Sequence, residues 1–322
     1  MRALKGKKVL ITGSTGFIGT NLVRRFLKIG AEIHILTRTT SNKWRIKDVL
    51  KYVNEYCVDL LDYEKLEPII LDIKPEMIFH TATYGGYPFQ KDVDKIIQAN
   101  FIGTVNLVNA CKKADFELFA NTGSSSEYGV KSKPMTEEDI LEPANDYGVS
   151  KAAATLYCQA VARREKIPIV TLRLFSPYGY YEEPTRLIPS VVISCLKGIN
   201  PEVSSSNSVR DFIFIEDVID AYMKIAEASD INGEIFNIGY GKQHSVGEVV
   251  SKIVELTGNY IRPKWGSVSP RANEPNIWQA DIAKAKDVLR WEPKYSLEKG
   301  LTNTVKWFME NMVLYENNKG GT

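Results

Sequence analysis

Cysteine and histidine are scarce: Cys57, Cys111, Cys158, Cys195 and His34, His80, His244 are the only four and three among 322 residues. No two cysteines form a Cys-x-x-Cys pair, so neither a zinc site nor a disulfide framework is indicated, and the thiols read as reduced and mostly buried. No metal centre is expected. An excess of one charge is lacking as well, since 41 basic and 39 acidic residues leave a formal charge of +2 without long like-charge runs. Such a balance gives no footprint for nucleic acid or an anionic membrane, while small anionic ligands stay open. No apolar stretch reaches the roughly 18 residues of a membrane span, and MRALKGKKVLITG passes from a short basic segment directly into a strand. A soluble, cytoplasmic chain with neither nucleic-acid nor membrane partners is therefore expected. Gly-Lys-Ser/Thr is also absent, which excludes the phosphate loop of nucleotide triphosphatases.

What is present is an alternation of strands and helices. KKVLITG is a short apolar run ending in glycine, after which Phe17, Ile18, Leu22, Val23, Phe26 and Leu27 recur at helical spacing until Gly30. AEIHILT reads as a strand, YEKLEPIIL as a helix, PEMIFHTA as a strand, and 92–114 as a long amphipathic helix; FELFANTGS, a helix from about 145 and PIVTLRLF follow. This order predicts an α/β fold, a doubly wound parallel Rossmann-type sheet. After Phe175 the pattern changes, with SPYGYYEEPTR as loop, a helix over about 187–197, strand and helix in RDFIFIEDVIDAYMKIAEA, a strand in GEIFNIG and two later helices. The expected division is a dinucleotide-binding domain over 1–175 to which 211–243 returns a strand and helix. A smaller interleaved α/β substrate-binding lobe takes 176–210 and 244–315, and 316–322 is a tail.

LITGSTGFIG sets Gly13, Gly16 and Gly19 between the first strand and first helix, beside Thr15, Phe17 and Ile18. Glycines there allow a tight turn and close approach to a pyrophosphate, while the helix N-terminus supplies amide donors. Further along, NDYGVSKAAATLYC places Tyr147 and Lys151 one helical turn apart. An ammonium near a phenol of ordinary pKa about 10 favours the phenolate. The spacing alone is weak, because Tyr87/Lys91, Tyr260/Lys264, Tyr295/Lys299 and Tyr315/Lys319 share it. Only Tyr147/Lys151 follows both a glycine loop and a serine loop.

Together these motifs resemble the extended short-chain dehydrogenase/reductase family of nucleotide-sugar epimerases, dehydratases and reductases, over about residues 7–312. The resemblance implies that Tyr147 is the acid/base, that Lys151 lowers its pKa and holds the nicotinamide ribose, and that Ser124 in GSSSEYG donates to the developing alkoxide. It implies adenine contacts at Asp59 and Leu60, cofactor contacts at His80, Thr81, Ala82, Thr83 and Thr122, and a structural role beside the cofactor for Asn100. Read from the residues alone, His80 serves equally as a satisfied core histidine and Asp59 as a turn cap. The implied substrate is a nucleotide-diphosphate hexose, met by Tyr84, Ser124, Ser125, Ser126, Ser176, Arg186 and two phosphate-reading arginines, Arg210 and Arg271. A homodimer is implied through helices at about 100–112 and 147–162.

Departures narrow the reaction. Family dehydratases carry an acidic pair directly after the catalytic Ser/Thr, whereas Ser125 and Ser126 stand there and Glu127 comes one place late. The expected activity is that of a 4-epimerase or 4-keto reductase at hexose C4, with a 4,6-dehydratase as the alternative and a catalytically silent dinucleotide-binding regulator behind both. The second strand ends in Thr37 and Arg38 with no acid, and Lys43 and Arg45 follow. That charge predicts NADP(H) over NAD(H), since an acid at this point bonds the ribose 2′-hydroxyl and an arginine accommodates a 2′-phosphate.

Overall fold

The computed structural model describes residues 4–87, 89–258, 261–268 and 275–316. Seven strands form its central sheet: β1 (Lys8–Thr12), β2 (Glu32–Thr37), β3 (Asn54–Cys57), β4 (Met77–His80), β5 (Leu118–Ser124), β6 (Ile169–Leu174) and β7 (Ile235–Ile238). They lie in the order β3-β2-β1-β4-β5-β6-β7, every neighbouring pair parallel. Val9, Leu10 and Ile11 of β1 and Ile78 and Phe79 of β4 are fully buried, as strands covered on both faces require. The strand order reverses between β1 and β4, the switch point at whose carboxyl ends ligands of open α/β sheets bind.

Helices cover both faces. They are α1 (Phe17–Ile29), α2 (Tyr63–Ile73), α3 (Val93–Ile97), α4 (Gly103–Cys111), α5 (Asp146–Glu165), α6 (Leu187–Leu196), α7 (Ile215–Glu227), α8 (Val246–Thr257), α9 (Ala283–Leu289) and α10 (Leu297–Glu316). Gly30 ends α1 in the left-handed conformation, its N–H returning to Phe26 and Leu27. The single helix expected over 92–114 is instead α3, a π-turn at Gln98–Ile102 and α4. π-turns recur at functional sites, and this one carries Asn100. Strand β3 and helix α9 had no counterpart in the sequence reading.

Beyond β6 the chain leaves the sheet. Ser176–Tyr178 pairs in parallel with Phe212–Phe214, and Val209–Arg210 pairs antiparallel with His244–Ser245, each as a separate two-stranded ladder. The strand Ile235–Ile238 rejoins the main sheet beside β6, and α7 packs on α1. Helices α6, α8 and α10 pack together. None of the four cysteines is in a disulfide, and Cys111, Cys158 and Cys195 are buried while Cys57 is exposed.

Candidate active site

The glycine loop links β1 to α1. Gly13 has φ +68°, and a Cβ there would lie 2.5 Å from the Ala82 nitrogen, while one on Gly19 would lie 2.2 Å from the Gly13 carbonyl oxygen. Only glycine allows the loop to fold this tightly against the end of β4. Helix α1 starts at Gly16 with no side-chain cap and no acid in its first turn, so its leading amides are not served by a side chain. The Ser14 hydroxyl nearby is buried without a partner. Uncapped amides, an unpaired hydroxyl and a loop whose tight fold admits no Cβ at Gly13 or Gly19 together suit a dinucleotide pyrophosphate.

The other expected cofactor residues gather at the same carboxyl edge: Thr37 and Arg38 at the end of β2, Asp59 and Leu60 after β3, and Thr81, Ala82 and Thr83 after β4. Several of their polar groups serve the fold. His80 is 1% exposed, with Nδ1 2.7 Å from Thr12 Oγ1 and Nε2 2.9 Å from Thr104 Oγ1. Thr104 donates to the Asn100 carbonyl, which leaves His80 Nε2 as donor and Nδ1 as acceptor. Burial, with Lys151 adding to it, pushes the imidazole down to about 3, so His80 is a neutral core histidine. Asp59 Oδ1 accepts from the Leu61 N–H at 3.0 Å. Thr122 shares its hydroxyl with Tyr222 at 2.6 Å. Asn100 accepts from the Tyr84 N–H and Thr83 Oγ1 and donates to the Tyr84 carbonyl and Ser150 Oγ. All of its hydrogen-bonding capacity thereby braces the Thr83–Tyr84 loop against α5.

That loop covers Tyr147. A Cβ on Gly85 would come within 3.5 Å of the Tyr147 ring and one on Gly86 within 3.9 Å. Helix α5 is capped by Asn145, whose Oδ1 accepts from the Gly148 N–H at 2.8 Å, so Tyr147 sits in the first turn, where the helix dipole favours negative charge. The side-chain hydroxyls of Ser124 and Thr83 lie beside its own. Burial pushes the phenol up, while those two hydroxyls and the charge of Arg186 pull it down. Lys151, one turn on, is 2% exposed, and burial lowers its pKa against the attraction of Glu127. The structure thus brings Ser124, Tyr147 and Lys151 together. Tyr295 lies apart, its ring against Phe214; Tyr260 and Lys319, one from each of two other pairs, lie outside the described residues.

Glu127 faces inward. It is fully buried, with Oε1 accepting from the Ser124 N–H at 2.8 Å and Thr155 Oγ1 at 3.0 Å, and Oε2 accepting from Arg173 Nε at 2.7 Å. Arg173 also donates to Tyr128 Oη, which donates to Asn237. Burial pushes the carboxyl up and Arg173 draws it down. The pair is a buttress behind the serine loop, invisible in sequence because Arg173 lies 46 residues on, in β6.

The charges expected around an adenine-ribose phosphate are largely committed. Glu55 of β3 accepts from Thr37 Oγ1 at 2.5 Å and pairs with Lys43 at 2.5 Å. A carboxylate of the neighbouring strand thus lies beside the end of β2. Arg45 is 7% exposed and bonds the Tyr181 carbonyl and Glu183. Arg38 stays exposed.

On the substrate side, Ser125 is buried, Ser126 and Tyr84 are half-buried, and Ser176 opens the short ladder with Phe212. Arg186 caps the start of α6 and points a nitrogen at the Gly86 carbonyl, 3.5 Å away. Arg210 lies over the Trp278 ring, whose Nε1 donates to Ser125 Oγ at 3.2 Å. Trp278 had no motif to announce it. Arg271 lies outside the described residues. Among the described residues, no cluster suited to a metal ion is present and no helix is long and apolar enough to cross a membrane.

Known proteins are similar to this chain over nearly its whole length. UDP-glucose 4-epimerase of Lactobacillus helveticus is 26% identical, with 96% of this chain and 98% of that protein aligned. A crystal structure of UDP-glucose 4-epimerase from Thermotoga maritima with UDP-glucose superposes with a TM-score of 0.88 at 26% identity, covering 95% and 99% of the two chains. One of dTDP-glucose 4,6-dehydratase from Bacillus anthracis with NAD gives 0.87 at 26%, covering 97% and 100%. The family model for NAD dependent epimerases/dehydratases matches residues 9–239. With the glycine loop at the switch point and serine, tyrosine and lysine converging beside it, the chain belongs to the NAD-dependent epimerase/dehydratase family of extended short-chain dehydrogenases/reductases.

Proposed function

We propose that this chain exchanges a hydride at C4 of a nucleotide-diphosphate hexose, as a 4-epimerase holding NAD(H). The carrying observation is the placing of the Ser124 and Thr83 hydroxyls beside that of Tyr147, with Lys151 buried one turn away. Residues of the glycine loop, the Thr37 region and the Asp59 turn would hold the dinucleotide, which supplies the hydride acceptor and donor. Tyr147 Oη takes the proton of the C4 hydroxyl as that carbon is oxidised and returns it on reduction. Ser124 Oγ donates to the same oxygen as negative charge develops on it. The Lys151 ammonium, dry and one turn away, favours the phenolate. The Gly85–Gly86 loop lies against the ring, and Arg210 and Arg271 would meet the diphosphate.

NAD(H) rather than the NADP(H) expected from sequence is supported by Glu55 and Glu183, which neutralise Lys43 and Arg45, and by the NAD named in the dehydratase structure. The exposed Arg38 favours a second reading, a 4-keto reductase consuming NADPH. Dehydration is weakened by the engagement of Glu127 with Arg173, and a silent regulator by the intact Ser124–Tyr147–Lys151 set. Val149 and Leu156, exposed on one face of α5, support the homodimer.

The test is turnover by Tyr147→Phe and Lys151→Ala with Tyr295→Phe as control. The first two should lose about 10²–10⁴-fold or more, the control little. Near-normal rates in Tyr147→Phe would sink the mechanism.

A further inference from the structure

Trp278 joins two parts of the site that come from distant segments. Its indole N–H donates to Ser125 Oγ at 3.2 Å, next to the serine at the reacting end. The Arg210 guanidinium lies 5.7 Å from the centre of the same indole, within cation–π range. The backbone carrying the ring is itself anchored, since the main-chain N–H of Trp278 donates to Gln243 Oε1 at 2.8 Å. Two residues on, the Ala280 N–H donates to the buried Asp211 carboxylate, which also accepts from the Tyr240 and Gly241 N–H groups. Asp211 follows Arg210 directly, so the segment carrying the indole and the arginine above it share one anchor.

Resting on the nucleotide-sugar reading, we propose that Trp278 is a positioning residue that sets the spacing between the hexose end of the site at Ser125 and the diphosphate end at Arg210. One rigid indole touches both ends, so it fixes their separation against a ligand that carries a hexose on a nucleoside diphosphate. Without the N–H, Ser125 loses the donor that orients its hydroxyl. Without the ring, Arg210 loses its platform as well.

The experiment measures binding to the NAD-loaded full chain by calorimetry, using UDP, dTDP and CDP, each beside its glucose conjugate. Trp278→Phe keeps an aromatic face for Arg210 and deletes only the N–H. It should leave the preferred diphosphate within about twofold and weaken its glucose conjugate roughly tenfold, the worth of one partly buried hydrogen bond. Trp278→Leu should weaken both. In a Ser125→Ala background, the difference between Trp and Phe at 278 should vanish, which a merely structural role would not produce. Equal weakening of diphosphate and conjugate by Trp278→Phe, no weakening of either, or an effect that persists in Ser125→Ala would overturn the proposal. Failure of the wild type to bind any of the six would instead overturn the nucleotide-sugar reading, and the proposal with it.

Discussion

Glu127→Gln is a shape-preserving change at the most buried ion pair near the site. The side chains of Glu127 and Arg173 are 0% and 2% exposed and meet at 2.7 Å. The substitution leaves Oε1 able to accept from Ser124 and Thr155 but turns an amide N–H₂ toward Arg173 Nε, donor against donor, beside a charge that no longer has a counterion. Removing one partner of a buried pair typically costs about 3–5 kcal/mol, and that loss is expected here. Urea unfolding followed by tryptophan emission and far-ultraviolet circular dichroism measures it, provided the two curves coincide. Replacing both residues, as Glu127→Met with Arg173→Met, should recover most of the loss, because the stranded charge is gone. About 1–3 kcal/mol should remain missing from the Ser124 N–H, left without its acceptor. A loss below about 1 kcal/mol in Glu127→Gln, with turnover nevertheless abolished, would refute the reasoning. Glu127 would then be a working acid, and the dehydratase reading would gain what the epimerase reading lost.

Other outcomes follow from the same contacts. His80, held near 3 against an ordinary 6.5, is neutral when folded and takes a proton when unfolded. Its contribution is therefore full above pH 6.5 and falls by about 1.4 kcal/mol per unit between pH 6.5 and 3; a urea series over that range should lose this slope in His80→Gln, and an unchanged slope would contradict the assignment. For the cofactor, NAD should bind more tightly than NADP, and Glu55→Gln should narrow the gap by removing the acid beside Thr37; tighter NADP binding in the wild type, abolished by Arg38→Ala, would restore the sequence expectation and favour the reductase. If copies pair through α5, Leu156→Asp should turn a dimer into a monomer in sedimentation, whereas a wild type that is monomeric at all concentrations would refute the pairing.

Much of the architecture was legible because the chain is locally consistent. The buried strands β1 and β4 are short apolar runs, β5 and β6 begin as such, and α1 has its stop at Gly30, so period and punctuation agree. Strand β3 escaped because Asn54–Cys57 is a four-residue edge strand with no buried residue. The break in the 92–114 helix escaped because a π-turn needs no helix-breaking residue, only a side chain such as Asn100 with partners on both sides. The tyrosine, serine and lysine carried their own spacing and context. What sequence could not offer was pairing across distance: Arg173 with Glu127, Glu55 with Thr37 and Lys43, Trp278 with Ser125. Each joins residues from different strands or loops, and the second of these underlies the proposed preference for NAD(H).

The most direct test of hydride exchange at C4 is to incubate the protein with UDP-, dTDP- and CDP-hexoses in deuterated water and read the products by mass spectrometry and proton NMR. The account predicts a nucleotide sugar of unchanged mass inverted at C4, with no solvent deuterium on carbon and no product from Tyr147→Phe. A product lacking one water and carrying solvent deuterium would contradict it, since elimination across C5 and C6 needs a base to remove and replace a carbon-bound proton.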